Sequence, residues 1–377
     1  MTHTYLDLHV LQTVPPSNLN RDDTGSPKTA IFGGTRRARV SSQAWKRATR
    51  LAFADLLDES ELGVRTKRLV ELLADEVTAK RPDLSDRAAG LSEKVLTTAG
   101  FKVKTPKAKR DQEPGLPTAE FLIFLSRVQI KRLAELVIDA ADSDDPQKTI
   151  TDGNPKQIAN THQSVDISLF GRMIADLADL NVDAACQVAH AISVHTIDTE
   201  YDYFTAVEEL SRAEETGAAM IGTVEFNSAT LYRYATINVD QLYTNLGDKK
   251  ATQRAIEAFI GAFVKSMPTG KQNTFAHRTL PDAIVANLRS DQPVNLVGAF
   301  ESAVSETQVG RLASASAKFA EYSLAVADAF GTPAEHTWIT RLGTATDPIG
   351  ALGNQVSFPD LVSSVSSVVA ARLAEDN

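Results

Sequence analysis

The sequence predicts an α+β fold: a sheet-based domain, interrupted by a helical insertion and carrying a projecting hairpin. Three observations predict it. Residues 4–12 alternate, with Leu6, Leu8 and Val10 on one side and Asp7 and His9 on the other, the period of a half-buried strand. Residues 225–239, with Phe226, Leu231, Tyr232, Tyr234, Ile237 and Val239, give the strongest strand signal. Between these, residues 59–180 hold helix-period segments rich in Leu, Ala, Glu and Lys. A strand, a loop and further strand-like residues before the first helix begin a mixed layer rather than an all-helical bundle.

Taken in order, Pro15-Pro16 ends the first strand, and a polar loop with Asn18, Asn20 and Arg21 follows. Gly33-Gly34 turns the chain, because both residues can take positive φ. Strand-like residues run to Val40, and Ser41-Ser42 supplies the N-cap of a helix. On that helix Gln43, Lys46, Arg47 and Arg50 are spaced i, i+3, i+4, i+7, one face of long polar donors. Trp45, Ala48, Ala52 and Leu56 fall opposite and anchor it.

Helices are predicted over residues 65–80 and 118–141, with a proline-broken basic loop over 102–110 that either tracks a phosphate backbone or is simply solvated. Residues 139–152 read as an acidic break and 182–196 as one strand. Residues 201–223 are two strand-like arms around small residues, a hairpin. Residues 252–266 form an amphipathic helix. Pro268-Thr269-Gly270 then turns the chain and presents Lys271, Gln272, Asn273 and Thr274. A strand over 283–288 and helices over 295–330 and 358–373 complete the chain, with no internal repeat.

The 377 residues suffice for one large domain or two ordinary ones. No apolar run is long enough to span a bilayer and no leader is seen, so a cytoplasmic location is expected. The single cysteine, Cys186, permits no internal disulfide and reads as a small core residue. A net charge of −9 argues by itself against a nucleic-acid partner. Residues 21–50 qualify that argument, with eight Lys/Arg against two acids, Asp22 and Asp23. The plain alternative is a solvated helix face. Positive charge concentrated in one stretch of an acidic chain instead points to a placed cationic rail, beside a helix N-terminus that stabilises phosphate.

No catalytic signature stands out. The seven histidines form no metal-binding spacing, and His190 and His195 read as structural, so neither a metal nor a cofactor is expected. Gly270-Lys271 lacks the rest of a phosphate-binding loop: Lys265 stands where its first glycine belongs, and Gln272 where a Ser or Thr would reach Mg²⁺. Asp22-Asp23 is the one pair near the rail on which a metal-assisted nuclease could rest; the plainer reading is a loop carboxylate paired with an arginine.

The words Asn18-Leu19-Asn20-Arg21-Asp22-Asp23, Ala30-Ile31-Phe32-Gly33-Gly34 and Arg36-Arg37-Ala38-Arg39-Val40-Ser41-Ser42-Gln43, with Lys46-Arg47-Ala48, identify a likeness. They resemble the repeating backbone subunit of the type I-E CRISPR surveillance complex Cascade, the CasC family. The resemblance continues at Gly171-Arg172-Met173, Ala189-His190-Ala191-Ile192, residues 203–207, Tyr232-Arg233-Tyr234-Ala235 and Gly270-Lys271-Gln272. It is weak over residues 59–163 and in the C-terminal third.

The resemblance implies an RNA-recognition-motif-like (ferredoxin-like) palm with a large helical insertion, the fingers, and a β-hairpin thumb. The implied map is palm over 1–58, fingers over 59–181, a palm strand over 182–198, thumb over 199–223 and the rest of the palm over 224–377. It implies a non-catalytic subunit of an antiviral ribonucleoprotein. Copies line up head to tail along one guide RNA (crRNA), each thumb displaces one base, and the other bases stay open to a target DNA strand. The implied RNA contacts are Asn20, Arg21, Ser41, Gln43, Lys46 and Arg50, then Met173 as a wedge, Phe204 and Thr205 on the thumb, and Lys271 and Gln272. The basic loop, with Lys102, Lys104, Lys107, Lys109 and Arg110, matches no family motif, and target-DNA contact is the expectation for it. Implied partners are the large, small, guide-capping and RNA-processing Cascade subunits and an effector helicase-nuclease. The alternatives are a metal-dependent RNA endonuclease resting on Asp22-Asp23, and a structural subunit that binds only protein.

Overall fold

The structure, a computed structural model, describes residues 3–106, 115–206 and 220–375. The chain divides into two compact units, one of residues 1–52, 187–239 and 256–377, the other of residues 53–186 and 240–255.

The first unit is built on one sheet. Its strands are β1 (Tyr5–Ser17), β2 (Thr29–Phe32), β3 (Thr35–Val40), β4 (Ala191–Ser193), β5 (Glu200–Ala206), β6 (Met220–Asn238), β7 (Ala283–Arg289), β8 (His336–Arg341) and β9 (Asn354–Gln355). They lie in the order β9-β8-β7-β1-β6-β4-β3-β2, and β5 and a tenth strand, Cys186–Val188, pair with β6 off that path. β1 runs antiparallel to both β6 (Leu6↔Ile237) and β7 (Leu6↔Leu288). Lying between them, it buries both faces rather than one: Asp7 and His9 are as buried as Leu6 and Leu8. The Tyr234 hydroxyl donates to Asp7 Oδ1 at 2.8 Å, and His9 Nδ1 lies 2.9 Å from the Tyr232 hydroxyl. Pro15-Pro16 does not end the strand. The register with β6 shifts between Val14 and Ser17, and such an irregularity tolerates residues without an N–H.

Two core layers sandwich the sheet. Leu11, Tyr232, Val285, Phe300, Phe319 and Ile339 form one, and Val14, Leu19, Val40, Trp45, Leu231 and Met267 the other. β2 and β3 form a hairpin whose two turn residues, Gly33 and Gly34, have φ of 56° and 75°, as the sequence predicts. Helix α1 (Ser42–Ala52) follows. Ser41 Oγ accepts from Ala44 N at 3.3 Å, so the N-cap falls at the serine pair. The anchoring stripe is Trp45 and Thr49; Leu56 lies beyond the helix end and is half exposed.

Residues 182–196 are not one strand. They hold Cys186–Val188 and β4, separated at Ala189-His190, where Ala189 N donates to Tyr234 O. β8 lies where the sequence predicts only a connecting loop, and the predicted helix over 295–330 is a short turn, Leu296–Phe300, and a helix, Arg311–Phe330.

The second unit packs the helices Leu69–Lys80, Ser85–Thr98 and Arg127–Asp142 around Leu73, Val77, Val95, Leu133 and Val137. Gly63–Thr66 pairs antiparallel with Ile123–Ser126, so the helices predicted from residues 65 and 118 begin later, after strand segments. Ser126 and Gln129 close a reciprocal capping box that sets the second start. Cys186 is buried, as expected of a core residue. Among the described residues no helix is long and apolar enough to cross a membrane.

Candidate nucleic-acid interface

The cationic stretch is held in place by a loop, a helix cap and a distant turn, all in the first unit. The loop after β1 is tied down from within. Asn18 Nδ2 donates to Gly25 O at 3.0 Å and to Glu225 O at 2.9 Å. Asp22 Oδ1 accepts from Thr24 N, Thr24 Oγ1 and Ser26 N at 2.9, 2.7 and 3.0 Å, and these bonds, the hydroxyl first, hold its carboxyl below the usual range. Asp22 therefore closes this turn rather than pairing with an arginine. Arg21 bridges Pro27 through the backbone and exposes its side chain.

Asn20 couples this loop to α1. Its Oδ1 accepts from Ser41 N at 2.9 Å, and its backbone oxygen accepts from Lys28 N at 2.9 Å. Asn20 and Ser41 thus hold the helix N-terminus against the loop. Along α1, Gln43 and Arg47 are exposed, while Lys46 and Arg50 are half-buried, all four on the face away from Trp45. Beneath the helix, the Arg233 guanidinium lies between the rings of Trp45 (3.7 Å to the centroid) and Phe263 (4.5 Å). It donates to Gln12 Oε1 at 2.6 Å and to Phe263 O.

The turn at residues 268–272 packs against the same loop. A Cβ on Gly270 would lie 2.4 Å from Leu19 O and 2.6 Å from Asn18 O, so only glycine lets the two backbones approach this closely. Lys271 takes a left-handed φ of 52° and opens the helical turn Gln272–Phe275, whose Phe275 ring lies 5.6 Å from that of Phe226 on β6. Lys271 is half-buried and Gln272 exposed. Between loop and sheet, Asn20, Lys28, Arg39, Val40 and Asn227 are among the residues lining a narrow, open cleft. On the hairpin, Phe204 pairs with Gly222, and its ring covers that glycine: a Cβ there would be 2.4 Å from ring Cζ. Tyr201, Tyr203 and Thr205 are exposed.

Comparison with known proteins matches residues 6–364 to the family described as CT1975-like protein. The chain belongs to the CT1975-like family. The fold of this CT1975-like chain is similar to that of a chain solved in "CRISPR RNA-guided surveillance complex, pre-nicking", with a TM-score of 0.83 and 32% identity, over 97% of this chain and 100% of that one. It is also similar to a chain solved in a "CRISPR RNA-guided surveillance complex", with a TM-score of 0.73 and 29% identity, over 97% and 99% of the two chains. No curated protein matches its sequence.

The first unit of this CT1975-like chain thus brings together Asn20, Ser41 and the turn that carries Lys271. One cation of the stretch is not available. Arg37 is fully buried and donates to Ser193 O (2.9 Å), Phe300 O (3.0 Å) and Glu301 O (3.1 Å). It clasps the sheet to the Phe300 segment, and burial lowers its pKa. Asn227 on the cleft wall was beyond sequence reasoning, since only strand pairing brings it there. Met173, in the second unit, is 83% exposed and so is no core methionine. Buried Arg172 beside it donates to Leu180 O at 2.7 Å and Phe124 O at 3.3 Å, which fixes the backbone from which Met173 projects.

The structure describes the basic loop only in part. Lys102 and Lys104 are bonded to Asp176 and Glu120, each at 2.7 Å, and Val103–Lys104 pairs with Thr118–Ala119. These two lysines carry their own counter-charges. Lys107, Lys109 and Arg110 lie outside the described residues. Among the described residues no group of three or more His, Cys, Asp or Glu could hold a metal ion.

Proposed function

We propose that this CT1975-like chain is the guide-RNA-binding backbone subunit of a type I-E Cascade-class complex. Copies of it polymerise head to tail along the crRNA and leave most of its bases free to pair with a target DNA strand. The observation that carries this reading is the mutual seating of three segments. Asn20 bonds to the start of α1, and Gly270 packs on the backbone of residues 18–19, so Arg21, the α1 donors and Lys271 are built on one connected scaffold. Contacts of that kind position a phosphate backbone without reading sequence, which base pairing does instead.

Two features support the ferredoxin-like palm. Of the strands β1, β4, β6 and β7, the spatial order is fourth-first-third-second, and every neighbouring pair is antiparallel. The distal half of β6 with β5 supplies a thumb, where Phe204 and Thr205 would flank a displaced base; the helices of the second unit supply fingers, with Met173 as the wedge. The proposed subunit is cytoplasmic and non-catalytic. It joins the large, small, guide-capping and RNA-processing subunits, and the assembled complex recruits a helicase-nuclease.

Nuclease digestion of the complex purified with its guide tests the reading. A protected RNA with cuts at a regular spacing is expected; protein that co-purifies with no nucleic acid would contradict it. The nuclease alternative is weakened by the three bonds that commit Asp22 Oδ1 to its own turn. Complementary RNA should survive incubation with the guide-loaded complex and Mg²⁺; cleavage abolished by Asp22→Ala would reverse the assignment.

A further inference from the structure

Two residues that line the cleft, Lys28 and Arg39, belong to a cluster completed by His190. Arg39 N donates to Lys28 O at 2.9 Å, which sets Arg39 on β3 beside Lys28, the residue just before β2. His190 immediately precedes β4, whose Ala191 pairs with Val40. The Arg39 guanidinium is fixed by a bond from Nε to Thr29 O at 3.0 Å, and its Nη1 lies 3.1 Å from His190 Nδ1. A guanidinium can only donate, so Nδ1 accepts and the imidazole proton is on Nε2. His190 is exposed.

The charged groups that act on the imidazole are Arg39 on β3, bonded to its Nδ1, and Lys28 before β2. Burial first, then Arg39, then Lys28, lowers its pKa. No carboxylate acts on it among the described residues. Such an uncompensated array is complementary to an anion.

We propose that Lys28, Arg39 and His190 form a subsite for one phosphodiester of the bound strand, and that filling it draws a proton from solvent onto His190. The inference rests on the RNA-binding reading and deepens it. The phosphate charge beside the imidazole favours the imidazolium. Once protonated, Nδ1 is itself a donor and can no longer accept from Arg39, whose Nη1 is then released to turn toward the phosphate. Binding coupled to proton uptake strengthens as pH falls through the pKa of the bound state.

Guide-RNA affinity measured from pH 8 to pH 6 at constant ionic strength, for wild type and His190→Gln, tests this. Calorimetry in two buffers of different ionisation heat counts the protons. Wild-type affinity should rise on acidification, by at most about tenfold per pH unit for each subunit, with uptake of up to about one proton. His190→Gln should fold normally, bind more weakly than wild type by a margin that widens as pH falls, and lose the uptake. Lys28→Ala should bind more weakly at every pH, with a smaller salt dependence. Equal uptake in wild type and His190→Gln, or none in wild type, overturns the proton-linked subsite alone. Wild-type protein that binds no guide overturns the reading beneath it as well.

Discussion

The Arg233 guanidinium carbon lies 3.7 Å from the centre of the Trp45 ring, so the helix that carries Lys46, Arg47 and Arg50 rests on a buried cation. Trp45 is thereby the anchor of α1 and one wall of the Arg233 site. Truncating it leaves a cavity and exposes one face of a desolvated charge. Trp45→Ala is expected to lower stability by about 3–5 kcal/mol, read from denaturant unfolding. Unchanged stability would mean that α1 is held elsewhere.

Gly270 offers a sharper test of the scaffold. A side chain there meets carbonyl oxygens of residues 18 and 19, which cannot rotate out of the way. Gly270→Val should cost about 1–3 kcal/mol and separate the turn from the loop. Guide affinity should fall with it, even though residue 270 contributes no donor. Native stability together with native affinity would refute the close packing.

How much of this was legible follows the range of the interactions. Gly33-Gly34 and the Ser41 cap could be read because turn and cap chemistry are local. The seat of Gly33 could not: a Cβ there would meet Glu301 O, a residue 268 positions away, at 1.6 Å. Arg37 looked like one more cation on the rail, and only the pairing of β3 with β4 turns it inward to Ser193. Pro15-Pro16 looked like a stop because the irregularity that accommodates it depends on β6. β1 alternates as a one-sided strand does, yet Asp7 and His9 are buried too, with bonds to Asp7 from Tyr234 and Arg289 and one between His9 Nδ1 and Tyr232. The candidate site was legible where the resemblance supplied words, and the gathering of Lys28, Arg39 and Asn227 around the cleft, with His190 bonded to Arg39, was not, since topology alone assembles it.

His9 gives a pH prediction. Burial, with a smaller effect from Arg289, lowers its pKa from 6.5 to about 3. Between those values the unfolded chain binds a proton that the folded chain refuses, so its contribution to stability is complete above pH 6.5 and is lost as pH falls toward 3. The slope from this one group is at most about 1.4 kcal/mol per pH unit. Urea midpoints between pH 4 and pH 7 should show a shallower acid loss in His9→Gln than in wild type. Parallel profiles would show that His9 is charged in the folded state.

The central claim is that α1 presents its cations to a phosphate backbone, and the salt dependence of guide binding tests it most directly. For Lys46→Ala with Arg50→Ala, the slope of log affinity against log salt should shrink by about 0.7 for each single-strand phosphate that is no longer neutralised, so by about 1.4 for the pair, regardless of guide sequence. A double variant with the affinity and slope of the wild type would contradict the account.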